Sequence, residues 1–133
     1  ILITDGEEKG SLASHWLVEH QTDFIDEINH SHQFMVQFDR GNERDYKCYD
    51  VGTDQFRSYI EKVTHYHEPY RQRSTDIKVL CKKICGVNLS IGYHHEHTEA
   101  EVLMLDAWQH TLNLAREWLF DTELPRFLLT KET

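Results

Sequence analysis

Acidic and histidine side chains follow three apolar runs of the chain, and their types suit metal chemistry. Glu7 and Glu8 follow the first run, Asp39 follows the second, and a histidine-rich segment that ends in His97 follows the third. Carboxylates together with an imidazole can bind Zn²⁺ and leave one position open for water. Of two adjacent glutamates, one can bind the metal while its neighbour takes a proton from the activated water. The pattern therefore indicates metal-assisted hydrolysis.

Each of these features also has a simpler interpretation. Adjacent glutamates are common in solvated turns, and Asp39 can begin the turn that follows it. The HHEH segment over residues 94–97 has the spacing of neither HExxH nor its inverse, so an exposed histidine-rich loop explains it equally well. The prediction of a site therefore depends on whether the fold brings the three segments together.

The elements that would position these residues can be predicted from periodicity. Residues 87–91 alternate between apolar and polar types, as a strand does, whereas residues 53–66 and 106–120 repeat apolar types at the helical period. The predicted elements, in order, are a strand over 1–4, helices over 11–20 and 23–31, strands over 34–38 and 46–51, a helix over 53–66, a short helix within 74–83, a strand over 87–91 and a helix over 106–120.

This alternation of strands and helices indicates an α/β sandwich with a mostly parallel central sheet. Ligands of open α/β sheets bind beyond the carboxyl ends of parallel strands. If the strands over 1–4, 34–38 and 87–91 are parallel neighbours, Glu7, Glu8, Asp39 and His97 converge at one edge of the sheet. The whole chain of 133 residues reads as one domain.

Composition narrows the classes of function. A net charge of −9 argues against binding nucleic acid through its phosphates. The short basic cluster formed by residues 71, 73, 78, 82 and 83 is interpreted as a solvated face. No apolar stretch is long enough to span a membrane, and no signal peptide is predicted. Three cysteines without CxxC spacing suggest free thiols in a reducing compartment, so a cytoplasmic protein is expected.

Two smaller groups of residues are predicted to be structural. His65 and His67 lie next to Pro69 at the end of a predicted helix, where surface positions or a helix C-cap explain them better than metal binding. Cys81 and Cys85 are four residues apart, which places both on one helix face, and core packing is the preferred interpretation.

Three segments of the chain together resemble a known family. The segment ILITDGEEKGSLASHWLVEH is similar to the strand–Glu–Glu–helix motif of zinc exopeptidases related to bacterial leucyl aminopeptidases. FMVQFDR resembles the strand of that family that ends in a metal-binding Asp. GVNLSIGYHHEHTEAEVLML resembles its final strand and loop, in which the His before Thr is a ligand. The three motifs occur in the order of the family between residue 1 and about residue 119.

The resemblance implies a role for each of these residues. Glu7 corresponds to the general base, Glu8 to a ligand of one metal, Asp39 to a ligand of the other metal, and His97 to a second ligand beside Glu8. Glu101 is expected to support the His97 loop. The complete site of the family holds two Zn²⁺ ions, and such mixed ligands also accept other divalent metals. The implied fold is a three-layer sandwich, and the implied substrate is a peptide hydrolysed at its N-terminus.

The resemblance also implies what the sequence lacks. In the family a His and a metal-bridging Asp precede the Glu–Glu pair, whereas this chain begins six residues before Glu7, without an initiator Met and within a predicted strand. We therefore expect a truncated C-terminal part of a metallopeptidase domain, with weak metal binding and little or no activity by itself. Only 58 residues separate Asp39 from His97, too few for a lid domain, so the lidless aminopeptidase branch is implied.

Two further hypotheses follow from the same sequence. A non-catalytic domain that keeps the peptidase fold and acts in binding or assembly is the alternative to an enzyme. A sheet that lacks strands would also expose an edge, and exposed edges promote pairing with a second copy. A homo-oligomer formed through that edge is therefore a further expectation.

Overall fold

The computed structural model describes residues 1–70, 75–121 and 123–129, and it defines a mixed α/β protein. The helices of this part of the chain are α1 (Leu12–His20), α2 (Thr22–Ser31), α3 (Asp54–Thr64), α4 (Asp76–Leu80) and α5 (Leu105–Leu119). The strands are β1 (Met35–Arg40), β2 (Tyr46–Lys47), β3 (Gly86–Ser90), β4 (Tyr93–His94) and β5 (Val102–Leu103), and a 3₁₀ turn covers Glu7–Lys9.

The strands form two small sheets. The larger sheet has the order β1-β3-β2, in which β3 is parallel to β1 and antiparallel to β2. β4 and β5 form a separate antiparallel pair that carries the segment between them as a loop. The predicted parallel relationship between the second and third apolar runs is therefore present, while the strand predicted over 46–51 is only two residues long and runs antiparallel.

Apolar side chains from the sheet enter two hydrophobic clusters. Val87 and Leu89 of β3 are fully buried and pack with Phe56 and Ile60 of α3. A smaller cluster combines residues of α4 with the segment after β2 and is lined by Met35 of β1. All five residues of β3 are buried, including its polar members, so this strand is enclosed on both faces.

β1 contains an irregularity directly at the predicted site. Gln37 pairs with Asn88 and Arg40 pairs with Ser90, so three steps along β1 correspond to two steps along β3. One extra residue on one strand of a pair is a β-bulge, which bends the strand and turns a side chain in a new direction. Asp39 lies within this bulge.

The prediction of a strand over residues 1–4 is wrong. These residues belong to no strand, and Ile1 and Ile3 are fully or almost fully exposed. A β-strand is stabilised by hydrogen bonds to a neighbour, and within the described residues no backbone hydrogen bond joins 1–4 to another strand. β-branched composition alone is therefore insufficient to make this segment a strand.

The apolar stripes predicted for two helices do not coincide with their buried faces. In α1 the predicted face includes Leu12 and Trp16, which are more than half exposed, while Ser14 is buried. In α5 the predicted stripe was residues 105, 108, 112, 115 and 119. The buried residues of α5 are Thr111, Ala115 and Trp118.

The buried face of α5 includes polar atoms because each has a partner. The Thr111 hydroxyl donates to the Ser90 carbonyl at 3.1 Å and lies 2.6 Å from the Tyr66 hydroxyl. Trp118 Nε1 donates to the Tyr59 hydroxyl at 2.8 Å. A hydrogen-bonded Thr can be buried at little cost, and hydrophobic periodicity does not register it.

Helix α3 ends earlier than predicted. It begins at Asp54, with the Thr53 hydroxyl accepting a hydrogen bond from Phe56 N at 3.1 Å. It ends at Thr64 because His65 adopts a left-handed conformation with φ 57°, several residues before Pro69. His65 is thus the C-cap residue, consistent with the structural role expected for it.

The remaining sequence predictions have mixed outcomes. The helix predicted within 74–83 is present as α4, and Ser11 precedes α1 but makes no side-chain cap. Cys81 and Cys85 are buried in the hydrophobic clusters, which confirms the predicted packing, but they do not share a helix face, because α4 ends at Leu80. Cys48 is also free and buried. In the basic cluster, residues 71 and 73 lie outside the described residues. Within the described residues, no helix is long and apolar enough to cross a membrane.

Candidate metal centre

The four residues predicted from the sequence line a single cavity of about 200 Å³. Glu7 and Glu8 enter it from the 3₁₀ turn, Asp39 from the bulge of β1, and His97 from the β4–β5 loop. The other residues that line the cavity are Arg40, Gly41, Asn42, Tyr49, Thr75, Asn88, Tyr93 and Glu96. The structure therefore brings the predicted residues together, although the first predicted strand is absent.

Gly6 sets the direction of the Glu7–Glu8 pair. Its φ of 73° lies in the left-handed region, and a Cβ atom at this position would come within 3.0 Å of Leu12 Cβ. The Gly6 carbonyl accepts hydrogen bonds from Lys9 N and Leu12 N, both at 3.1 Å, which joins the 3₁₀ turn to the start of α1. Both glutamates are thereby held on a tight turn at the mouth of the cavity.

Glu8 and His97 are in direct contact. Glu8 Oε2 lies 3.2 Å from His97 Nε2, and the two side chains are 69% and 61% exposed. An exposed ion pair contributes little to stability because water screens it. The contact therefore adds little to the free energy of folding. Its importance is that it brings a carboxylate oxygen close to an imidazole nitrogen.

The loop that carries His97 is held in an unusual backbone conformation. His95 and His97 have φ values of 57° and 63°, which are unfavourable for residues with a Cβ atom. Two side chains of the loop offset this cost. Glu101 Oε2 accepts a hydrogen bond from His97 N at 3.1 Å, as expected from the sequence, and the Thr98 hydroxyl donates to the His95 carbonyl at 2.6 Å.

Asp39 is fixed through its backbone. Its N–H donates to Asn88 Oδ1 at 2.9 Å, and its carbonyl accepts from the Tyr93 hydroxyl at 3.3 Å. The N–H would otherwise lack a partner, because the bulge takes this residue out of the regular ladder. Asn88 is almost completely buried and also donates to the Tyr49 hydroxyl at 3.3 Å.

Burial and neighbouring negative charges raise the pKa of two carboxyl groups of the cavity, those of Glu7 and Asp39. Burial raises the pKa of Glu7, and the charges of Asp39, Glu8 and Asp76 add to this effect. Burial also raises the pKa of Asp39, again with contributions from Glu8 and Asp76, while Gln37 and His97 oppose the shift. Negative charge is therefore in excess here, a condition that a bound cation would relieve.

The side chain of Tyr93, which lines the same cavity, carries a hydroxyl that stays protonated. Burial, followed by the nearby charges of Asp39 and Glu96, raises the pKa of Tyr93 to about 12. The phenol thus remains a hydrogen-bond donor throughout the neutral pH range. A Cβ atom on Gly41 would come within 3.1 Å of the Tyr93 ring, so the absence of a side chain there leaves room for the ring.

The other histidines predicted near the site lie apart from the four residues. His94 Nε2 lies 3.4 Å from Glu43 Oε2, outside the cavity lining, and His95 is exposed. The His67 carbonyl accepts a hydrogen bond from Tyr46 N at 3.0 Å. These positions give no reason to add His65, His67, His94 or His95 to the proposed ligands.

A second cavity lies away from these residues. Its volume is about 750 Å³, and it is lined mainly by α3, α5 and the segment that follows α5. It contains none of the four predicted residues. Size alone does not identify a reactive site, and the smaller cavity is the one in which a carboxylate and an imidazole are in contact and the pKa values of two carboxyl groups are raised.

The predicted ligands do not form a complete metal site in this structure. Among residues 1–70, 75–121 and 123–129, no group of three or more His, Cys, Asp and Glu side chains is arranged so that it could hold a metal ion. Comparisons of the chain with protein-family models, with curated proteins and with solved structures find no match. The roles of Glu7, Glu8, Asp39 and His97 therefore stay predictions.

Sequence analysis did not identify the residues that hold the site. Asn88, Gln37, Thr75 and Tyr93 contact the predicted ligands or line the cavity, yet none has a motif of its own. The alternation over residues 87–91 identifies Asn88 only as a polar position of a strand. Its burial follows from the position of β3 between β1 and β2, with all five residues of the strand buried.

Proposed function

We propose that the chain forms part of a metal-dependent exopeptidase of aminopeptidase type, with Zn²⁺ as the metal. The observation that carries the proposal is the convergence of Glu7, Glu8, Asp39 and His97 on one cavity, with Glu8 and His97 in contact. Three polypeptide segments, far apart in sequence, supply these groups. A solvated turn and an unrelated exposed loop would have no reason to meet in this way.

The distance between Glu8 and His97 fits shared coordination. Zn²⁺ binds carboxylate oxygen and imidazole nitrogen at about 2.0–2.2 Å, so two ligands of one tetrahedral ion lie roughly 3.3–3.5 Å apart. Glu8 Oε2 and His97 Nε2 are 3.2 Å apart. An ion pair has a similar distance, so the spacing supports the assignment together with the chemistry of the donors and the excess negative charge.

In the proposed reaction Glu7 moves the proton. Glu8 and His97 would hold one Zn²⁺ and Asp39 would help to hold the second, and these ions would polarise the peptide carbonyl and make water more acidic. The Glu7 carboxylate takes a proton from the attacking water and delivers it to the leaving amine. Burial is the largest cause that raises the pKa of Glu7, and it favours a carboxyl that can return the proton it has taken.

The excess of carboxylates favours a cationic end of the substrate. Glu7, Glu8, Asp39 and Glu96 all line the cavity, where Arg40 is paired with Asp45 at 2.9 Å. A peptide C-terminus would meet repulsion from these acids, whereas a free α-ammonium group would be attracted. This supports hydrolysis at the N-terminal end of a peptide substrate.

The fold, domain and location belong to the same proposal. In it, residues 1–133 form one domain, the C-terminal part of a three-layer α/β metallopeptidase domain whose central sheet is mostly parallel, and the protein is cytoplasmic. The parallel pair β1–β3 and the two hydrophobic clusters support this arrangement. β1 lies at one edge of the described sheet, which supports association of two copies through that edge.

Zinc binding by the 133-residue chain tests the proposal first. We expect Zn²⁺ to raise the melting temperature of the wild type and to bind in calorimetry, with roughly tenfold or greater loss of affinity in Glu8→Gln and His97→Ala. Glu19→Gln and His30→Ala are matched controls, since both residues are exposed on helices away from the cavity.

Turnover of aminoacyl anilides by the zinc-loaded chain tests the assignment of the base. Glu7→Gln is expected to keep near-normal zinc content and to lose hydrolysis, because it retains the size of the side chain but cannot accept the proton. Hydrolysis by Glu7→Gln at the wild-type rate would contradict the role of Glu7. No detectable zinc binding by the wild type would contradict the metal site itself.

A non-catalytic binding or assembly domain is the second candidate. The observation that favours it is the absence, within the described residues, of a group of three or more side chains arranged to hold a metal. This candidate predicts no zinc-dependent stabilisation and no hydrolysis, in the same two experiments. Stoichiometric zinc together with turnover that depends on Glu7 would exclude it.

A further inference from the structure

Two polar side chains beneath the cavity connect the proposed base with a proposed ligand. Gln37 of β1 donates through Nε2 to the Thr75 hydroxyl oxygen at 2.8 Å and to Asp39 Oδ2 at 3.4 Å. Thr75 lines the same cavity as Glu7, and hydrogen bonding by its side chain lowers the pKa of the Glu7 carboxyl. Glu7 and Asp39, which are 32 residues apart in sequence, are therefore joined through two intermediates.

The direction of each hydrogen bond in this chain follows from its donors. The Gln37 amide oxygen accepts from Ile77 N at 3.3 Å, so its nitrogen must face Thr75 and Asp39. The Thr75 oxygen already accepts from Gln37, which leaves its single O–H to donate to Glu7. Both carboxylates are thus held by donors whose orientation is set elsewhere.

The two intermediates are shielded in different degrees. Thr75 is 3% exposed, and its hydrogen bonds are therefore protected from competition by water. Gln37 is partly buried within β1, next to the bulge that displaces Asp39. Gln37 belongs to β1 and Thr75 directly precedes α4, so both are held by regular secondary structure, whereas His97 lies on an exposed loop.

We propose that Gln37 and Thr75 are positioning residues that hold the Glu7 and Asp39 carboxylates in a fixed mutual orientation. Their part in catalysis rests on the function proposed above, whereas their part in orienting the two carboxylates does not. Thr75→Val removes the hydroxyl and keeps the shape, and Gln37→Met removes the amide and keeps the length. Thr75→Ser restores the hydroxyl and is the rescue variant.

Carbon-13 NMR of the side-chain carboxyl and amide groups in the zinc-free protein tests the orientation. We expect Thr75→Val to shift the Glu7 carboxyl and Gln37 amide signals, and Thr75→Ser to return both towards their wild-type positions. Thr111→Val is the matched control, because Thr111 is also 3% exposed and hydrogen-bonded but lies against Tyr66 and Ser90. Unchanged Glu7 and Gln37 signals in Thr75→Val would overturn the proposal.

Zinc affinity and kinetics test the functional consequence separately. Removal of a group that orients a metal ligand typically lowers metal affinity about 10–100-fold, and we expect Gln37→Met to lie in that range. Thr75→Val is expected to lower kcat with little change in KM, whereas Thr111→Val and the exposed control Gln55→Met leave zinc affinity and kcat unchanged. If the wild type binds zinc and the variants show none of these losses, the functional part of the proposal is wrong. If the wild type binds no zinc, the proposed function is wrong, and the NMR experiment still tests whether Gln37 and Thr75 orient the two carboxylates.

Discussion

The Asp39 backbone N–H donates to the side-chain oxygen of Asn88, and this bond replaces the strand-to-strand bond that the bulge in β1 removes. Asn88 is 1% exposed and lies opposite Gln37 in the register of β1 and β3. A buried amide inside a hydrophobic strand thus sets the direction of a carboxylate on the neighbouring strand. The relationship explains why β3 is polar at its centre.

Replacement of Asn88 should therefore affect both stability and the site. Asn88→Leu leaves the Asp39 N–H without a partner, and we expect a loss of about 1–3 kcal/mol in the free energy of unfolding. Zinc affinity should fall as well, because Asp39 is no longer held. Urea unfolding and calorimetry measure the two effects. Asn113→Leu, on the exposed side of α5, is the control; equal losses in both variants would contradict the interpretation.

The raised pKa values of Glu7 and Asp39 predict the pH dependence of the metal-free protein. A carboxyl whose pKa is higher in the folded state binds more protons there, so stability falls as pH rises from its ordinary pKa through the folded value. At neutral pH both charges are therefore destabilising. Glu7→Gln should stabilise the protein at pH 7, by about 0.5 kcal/mol on the scale of partly exposed charges.

This gain should disappear as pH falls below the ordinary carboxyl range near 4, where Glu7 is protonated in both states. Thermal unfolding of wild type and Glu7→Gln between pH 3 and pH 7 measures the difference. A variant that is less stable than wild type at pH 7 without metal would count against the electrostatic account.

Asp76 contributes to the same excess of charge from below the cavity. It is 6% exposed, its Oδ2 accepts a hydrogen bond from the Thr4 hydroxyl, and its Oδ1 has no partner among the described residues. Asp76→Asn should lower the pKa of both Glu7 and Asp39, because the charge of Asp76 is one of the causes that raise those two pKa values. NMR titration of the two carboxyls measures this.

The same substitution should also change stability. A neutral amide is buried more easily than a carboxylate with an unpaired oxygen, so we expect Asp76→Asn to raise the unfolding free energy by about 1 kcal/mol at pH 7. Asp26→Asn, at an exposed position on α2, is a control that should have almost no effect. A loss of stability in Asp76→Asn would show that its charge has a stabilising partner.

The loop that holds His97 depends on Glu101. Glu101→Ala removes the acceptor for His97 N, and the strained φ of 63° then has less support. We expect zinc affinity to fall roughly tenfold, as for other groups that orient a ligand, with little change in global stability because the loop is exposed. Glu101→Gln keeps an acceptor oxygen and should recover most of the affinity. Glu99→Ala, next to the same loop, is the control.

Much of the secondary structure could be predicted because its signals are local. The period of residues 53–66 and the alternation of 87–91 identified α3 and β3. The segment 1–4 failed because a strand requires a neighbour, which the local sequence does not contain. β2 was overestimated for the same reason: only Tyr46 and Lys47 pair with β3.

The site residues were predictable by type, whereas their supports were not. Carboxylates and an imidazole after apolar runs are visible in the sequence, and they do converge on one cavity. Gln37, Thr75 and Asn88 are common polar residues, and none of them has a recognisable motif of its own. Gln37 and Thr75 bond to each other across 38 residues, and Asn88 bonds to Asp39 across 49 residues. Hydrogen bonds over such separations cannot be predicted from a single sequence.

The sequence by itself determined which chemical groups are available, and it placed most of the helices and the central strand, because hydrophobic period and turn residues act over a few positions. The tertiary structure decided which faces are buried, that β2 runs antiparallel, that Asp39 lies in a bulge, and that Glu8 touches His97. Those outcomes depend on whether a buried polar atom finds a partner from a distant segment, which only the folded chain settles.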